Sequence, residues 1–506
     1  MNLFFDIPKV LQVGLLARWL EPVDAAYLDS ATASHKYRNE LLDLLSSPEC
    51  ILGCMDLNHM DTTDLVVTRH VKPFKICVRN TYLGDGTMLE KLLRTVGPTL
   101  KNLLYELSSL PAYWYNDESV TQQDLGTVSA KNLIRAFSHH CKGLESLIFC
   151  DGELERDVPA LIFANYNSLT HIRVTDCHGI NVNHMESVYN IPGLKKVEME
   201  DCFFSTEMIT YEAPVNTSCI SLMWLSSPIV HMIIAFPNLR ELTVSLVQSQ
   251  DLVLISVHCL LLEHVHADLL DKLSLEQAIV ITESWQPIKE LHLCVETYQY
   301  LCDENVVLQL ISKCLGLKYL TLFPSYNMVT AFKYSDHNVQ GSMSQLQDLT
   351  MSRLDGDTLQ KIVQICPLLH TLSVYFGEFN NGLNNLGVSY TENSLRLINN
   401  SSIKTLYLID CWNLYTADLV GLHKLEKLVL CSAGTRTKLC AQGIVHIHYC
   451  SGIDHTVVLK VLRVATQLRD LAFTSHHAPA TNPALEMLRE VVMQLYPQLH
   501  SFQISC

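Results

Sequence analysis

One short phrase recurs along the chain and limits what the chain can fold into. It has apolar residues at positions one, four and six and a cysteine three further on. The clearest copies are LTHIRVTDC (Leu169, Ile172, Val174, Cys177), LKKVEMEDC (Leu194, Val197, Met199, Cys202) and IKTLYLIDC (Ile403, Leu406, Leu408, Cys411). A looser copy carries Val445, Ile447 and Cys450. Alternation within the phrase is the period of a strand. Recurrence at a fixed interval means that no copy buries its apolar face alone, so neighbours must stack.

Without the cysteine the phrase begins again at Leu144, Leu239, Leu262, Ile288, Leu317, Leu346, Leu369, Leu425, Leu468 and Leu499. Starts from Leu144 lie 25, 25, 45, 23, 26, 29, 29, 23, 34, 22, 43 and 31 residues apart. The 45 divides at a weak copy, Thr217–Leu222, and the 43 at the Val445 copy. Val71–Ile76 (VKPFKI) and Leu100–Tyr105 (LKNLLY) read as degenerate first copies. The phrase resembles the leucine-rich repeat in its cysteine-containing form, whose period is 20–29 residues. Between phrases, SAKNLIRAFSHHCKGL, ENVVLQLISKCLGL and DTLQKIVQICPLL space their apolar residues as helices do. The unit is strand, turn and helix. The resemblance implies an α/β horseshoe solenoid, with a parallel inner sheet and outer helices, over residues 61–506.

Residues 4–45 do not fit the repeat and read as short helices broken at Pro22, within an N-terminal helical domain spanning 1–60. Ile7-Pro8, an apolar helix with Leu11 and Leu15, the turn Leu20-Glu21-Pro22-Val23-Asp24, and a helix carrying His35-Lys36-Tyr37-Arg38 follow in order. This resembles the F-box. The first helix is one residue longer than the usual pattern, the acidic residue after the proline is missing, and tyrosine replaces the usual tryptophan. The resemblance implies docking to the linker subunit of a cullin-RING ubiquitin ligase through Ile7, Pro8, Leu11, Leu15, Leu20 and Pro22. The competing reading is a helical cap for the first repeat, which solenoids need in any case.

Composition narrows the function classes. Net charge is -16 with no lysine/arginine run, which argues against a nucleic-acid surface. No stretch reaches the length of apolar residues that a membrane helix needs, and the N-terminus lacks a basic n-region. Many of the eighteen cysteines sit in repeat slots beside strands, where a thiol acts as a small apolar group. The expectation is reduced thiols in a cytoplasmic or nuclear protein. The glycosylation-type motifs at Asn216, Asn399 and Asn400 are then chance matches.

Residues 46–70 contain Cys50, Cys54 and His59, a spacing too weak for zinc, and read as a linker. Residues 106–127, with Tyr113, Trp114 and Tyr115 among acids, interrupt the period and read as an inserted loop.

If the phrase leucines point into the core, the residues between them form the opposite, partner-facing side. That rule selects His171 and Arg173, then Lys196, Glu198 and Glu200, then Glu241. It continues with His264, His266 and Asp268, and with Glu290 and His292. Later strands add Tyr319, Phe323, Tyr375 and Tyr407, aromatic anchors suited to a protein partner. His266 and His292 fall in equivalent slots of neighbouring strands, but no fourth ligand accompanies them and no metal is expected. No motif of a nucleophile, kinase, metalloprotease or dinucleotide site occurs, so neither enzymatic activity nor a cofactor is expected. The family resemblance implies a ligase adaptor that holds a protein substrate. The alternative is a repeat scaffold without a ligase role.

Overall fold

A computed structural model describes residues 9, 11, 12, 16, 20, 28, 35–45, 51–56, 72–78, 86–106, 130–207, 212–225, 230–295 and 304–324. It also describes residues 345–352, 362–375, 402–409, 426–431, 446–450, 470–474, 490, 492, 494 and 501–505. The chain divides into two compact units, Met1–Leu239 and Arg240–Cys506.

In the first unit, helix α1 (His35–Leu45) is followed by strands β1 (Ile51–Asp56) and β2 (Lys72–Val78). Helix α2 (Gly86–Val96), β3 (Asn102–Glu106), α3 (Ala130–His140), β4 (Ser146–Glu153) and α4 (Val158–Ala164) come next. Then come β5 (His171–His178), α5 (Val182–Tyr189), β6 (Lys196–Glu200), β7 (Ser221–Leu225) and α6 (Val230–Ile233). Each strand pairs in parallel with the next in sequence, from β1 to β7. Strands β4 to β7 begin at Ser146, His171, Lys196 and Ser221, so the phrase sets a 25-residue step.

The second unit holds β8 (Glu241–Val247), α7 (Ser249–His258), β9 (His264–Leu269), α8 (Leu275–Ser284), β10 (Glu290–Val295), α9 (Glu304–Lys313) and β11 (Tyr319–Pro324). Strands β12 (Asp348–Ser352), β13 (Thr371–Tyr375), β14 (Thr405–Ile409), β15 (Lys427–Cys431), β16 (His446–Cys450), β17 (Asp470–Thr474) and β18 (Ser501–Ser505) complete it. They too pair in parallel and in order.

The phrase leucines are the core. Leu144, Leu147, Leu169, Ile172, Leu194 and Val197 are fully buried in the first unit, as are Leu239, Leu262, Ile288, Leu317 and Leu369 at later starts. Each such burial contributes roughly 2 kcal/mol. Backbone hydrogen bonds tie each turn to the preceding repeat: Lys195 and Lys196 both donate to the Thr170 carbonyl, and Lys289 and Glu290 to that of Glu263.

Cysteines close the helices. The amide of Cys141 donates to Phe137, that of Cys259 to Ile255, and that of Cys366 to Ile362, each continuing the helical ladder by one bond. Trp285 takes this slot in one repeat, bonding Ile281, with its side chain fully buried. Burial pushes the thiols of Cys141, Cys177, Cys219, Cys259 and Cys314 up to about 12 and that of Cys202 to about 11. They act as apolar fillers.

Three features depart from the sequence reading. The linker assigned to 46–70 contains β1, which pairs Met55 with Ile76 and brings the parallel sheet inside the boundary drawn at residue 60. Met55 stands where later strands carry leucine, so LGCMDL departs from the phrase. The first copy at Val71–Ile76 is also two residues out of frame, and so are the weak copies at Thr217–Leu222 and Val445–Cys450, since Leu222 pairs with Val197 and Ile447 with Leu428. Ile76 pairs with Leu103 and Val78 with Tyr105, so the apolar positions are Pro73, Ile76 and Val78, all buried.

The N-terminal helical expectation falls partly on described residues. Lys9, Leu11, Gln12 and Leu16 are helical, and α1 covers the basic-aromatic stretch. Leu16 is buried, Leu20 half-buried, and Leu11 is 58% exposed. Ile7, Pro8, Leu15 and Pro22 lie outside the described residues, as do 107–127, Asn399 and Asn400.

Candidate functional site

Strand alternation builds the candidate site. On β5 the residues His171, Ile172, Arg173 and Val174 alternate half-buried and buried, so His171 and Arg173 leave the core side together. On β6 the same parity presents Lys196, Glu198 and Glu200, and the parallel register sets His171 beside Lys196, Arg173 beside Glu198 and Thr175 beside Glu200.

These side chains form one charged network. Glu198 accepts from His171 Nε2 at 3.2 Å and from the Lys196 ammonium, and lies 3.7 Å from Arg173 Nε. Arg173 donates to Glu200 through Nη2 at 2.9 Å and to Thr175 Oγ1 through Nε at 3.1 Å. Ser146 Oγ on β4 meets His171 Nδ1 at 3.3 Å. The cations cover Glu198, which is 6% exposed. Burial alone would raise its carboxyl, but the Lys196 and His171 contacts overcome that and hold it below the usual carboxylate range. Glu198 therefore orders the cations above it, and Arg173 and Lys196 present the surface.

A second cluster lies on β9 and β10 in the other unit. His264 Nδ1 meets Glu290 Oε2 at 3.0 Å. His266 pairs with Asp268 at 3.6 Å and stacks on His292 with ring centroids 4.0 Å apart and planes 27° apart. Imidazole lone pairs lie in the ring plane, so near-parallel stacked rings do not converge on one ion. Among the described residues no group of three or more histidine, cysteine, aspartate or glutamate side chains could hold a metal.

Burial and the neighbouring His266 lower the proton affinity of His292 to about 4. The unfolded chain, with histidine near its ordinary 6.5, takes up this proton first as pH falls. Stability is therefore present above about pH 6.5 and drains away toward pH 4. The expected loss is about 1 kcal/mol, reduced by solvent at the partly open ring. Urea titrations at pH 7.5 and pH 5 measure it, and His292→Gln should flatten the dependence; an equal slope in that variant contradicts the assignment.

Of the other predicted surface residues, Glu241 and Tyr319 are exposed and Tyr407 is half-buried with the Lys427 ammonium 5.2 Å from its ring centre. Phe323 and Tyr375 belong to β11 and β13.

Sequence reasoning missed the buried asparagines. Asn216 donates through Nδ2 to the carbonyls of Tyr189 at 2.7 Å and Ile191 at 3.0 Å. Its Oδ1 accepts from the amides of Ser218 at 2.9 Å and Cys219 at 3.1 Å. Asn165 does the same on a smaller scale, accepting from the Leu144 amide and donating to the Leu161 carbonyl. Both stand just before a phrase start, which is the signal that marks them. With every amide position of Asn216 engaged, the motif Asn216-Thr217-Ser218 is a structural joint and no acceptor for a glycan.

No protein-family model and no curated protein matches this chain. Among solved structures it is similar to a leucine-rich repeat protein of Leptospira interrogans, at 14% identity over 89% of this chain and all of that one, with a TM-score of 0.35. The leucine-rich repeat domain of APL1B aligns at 13% identity over 65% of this chain and 88% of its own, with a TM-score of 0.32. A chain of the yeast Rad7 and Elc1 complex aligns at 10% identity over 91% and 90%, with a TM-score of 0.30. The parallel strands of both units, with buried phrase leucines and intervening helices, make the fold of this chain an α/β leucine-rich repeat.

Proposed function

We propose that this chain is a substrate-recognition adaptor of a cullin-RING ubiquitin ligase. In this reading its N-terminal helices bind the ligase linker subunit and the polar sheet surface holds a protein substrate. The observation that carries the reading is Leu11: it is helical, lies in the segment resembling an F-box, and is 58% exposed while Leu16 is buried. A helix that merely capped the repeats would turn its leucines onto the first core layer, whereas a docking helix keeps one for its partner. The adaptor contributes no reacting group; it raises the local concentration of substrate at the ligase. Reduced thiols and a cytoplasmic or nuclear setting belong to this reading, and no described helix is long and apolar enough to cross a membrane.

The test is binding of the full chain, and of the chain carrying Pro8→Ala and Leu11→Ala together, to purified linker subunit. The wild type should bind and the double variant should bind at least tenfold more weakly with unchanged circular dichroism. A folded wild type that does not bind leaves a repeat scaffold without a ligase role.

A further inference from the structure

In the repeats whose helix end is described, the chain turns from helix to strand through two residues that follow the helix-closing slot. The first unit fills this turn with small, polar or turn-forming residues: Lys142-Gly143, Asn167-Ser168, Pro192-Gly193 and Pro237-Asn238. In the second unit three of these turns carry leucine, while Gln286-Pro287 before β10 keeps the first unit's pattern. Leu260 and Leu261 precede β9, Leu315 precedes β11 and Leu368 precedes β13, and they are 51%, 48%, 45% and 45% exposed. The fold does not require them, since the same turn closes with glycine, serine and asparagine elsewhere.

The leucines run along an edge with its own charge. The residues just beyond each phrase start stack through consecutive backbone bonds: Arg240, Glu263, Lys289, Lys318, Gln347, His370, Lys404 and Glu426. Four cations face two carboxylates there, in a chain whose net charge is -16. Arg240 and Lys289 are paired with Glu263, and Lys404 with Glu426. Lys318 and Lys313, which flank Leu315 and are both exposed, have no ion-pair partner among the described residues.

We propose that this edge of the second unit docks an acidic amphipathic helix of a protein partner. Leu261, Leu315 and Leu368 stand two strands apart in turn, or about 10 Å per step at the spacing of paired strands. Seven residues of a helix advance about 10.5 Å, so residues i, i+7 and i+14 of one helical face meet the three leucines in register. Carboxylates beside that face meet Lys313 and Lys318. This surface uses none of the residues of the polar sheet face or of the F-box-like segment, and it stands or falls independently of the ligase reading.

The probe is a fluorescein-labelled helical peptide of about 20 residues with leucine at every seventh position and glutamates beside it, titrated into the full chain by anisotropy. The wild type should bind it saturably, and a peptide of the same composition in scrambled order should not bind. Leu261→Ser, Leu315→Ser and Leu368→Asn together, residues the turn already tolerates, should weaken binding at least tenfold with an unchanged melting curve. Lys313→Glu with Lys318→Glu should weaken it at least fivefold, and 0.5 M salt should weaken binding by the wild type but not by this lysine variant. Absent binding by the folded wild type, or binding indifferent to both variants, overturns the proposal. So does leucine-dependent binding to phosphatidylserine vesicles in place of the peptide, or self-association that the leucine variant abolishes.

Discussion

Replacing Asn216 with alanine is expected to destabilise the first unit by about 3 kcal/mol, because four backbone groups lose a bond at once and the Ile191 carbonyl keeps another, from the Leu194 amide. The carbonyls of Tyr189 and Ile191 and the amides of Ser218 and Cys219 all point at this side chain, which is 4% exposed. Each orphaned buried group costs about 1–3 kcal/mol, and water reaching Ser218 keeps the sum near the lower bound. Urea denaturation followed by circular dichroism reads the effect as a lower midpoint. Asn216→Asp retains the two acceptor bonds but sets a negative charge against two carbonyl oxygens, so it should recover nothing. A loss below about 1 kcal/mol in the alanine variant would show that the joint is held by other contacts.

The second large effect is expected at Glu198. Glu198→Ala leaves His171, Arg173 and Lys196 crowded around a missing carboxylate, at a cost of about 2 kcal/mol. Removing one partner of a fully buried pair costs more, but these three side chains are 29–45% exposed and water screens them. Because the folded carboxyl is held below its ordinary range, its contribution is present above the unfolded value near 4.5 and is lost as pH falls through the folded one. The stability difference between wild type and Glu198→Gln should therefore shrink as pH drops below 4.5. A difference that stays constant with pH would mean that Glu198 acts by packing alone.

The repeat core was readable residue by residue where a leucine or isoleucine opens the phrase, whereas the two weak copies at Thr217 and Val445 marked a strand but missed its frame by two residues. From Leu144 onward every expected phrase places a strand. Ile172 and Val197 share a register line in the core of the first unit, and Leu242, Val265, Leu291 and Leu320 share one in the core of the second. The misses share a cause. Met55 and Pro73 occupy leucine slots and Trp285 occupies the cysteine slot, so a search by residue type passes over positions that the sheet treats as equivalent. Packing asks only for apolar volume that fits between neighbouring layers.

Strand parity assigned His171, Arg173, Glu198, His266 and His292 to one side of the sheet from spacing alone, because alternation is local to six residues. What became of them there was decided between repeats. Glu198 is covered by a histidine from a strand 25 residues earlier, and His266 lies against a ring 26 residues later. Asn216 bonds carbonyls 25 and 27 residues back in the chain. A short phrase records which way each side chain leaves the backbone, since that depends only on neighbouring dihedrals. Burial, charge pairing and proton affinity depend on distances across stacked repeats, and only the folded arrangement sets those.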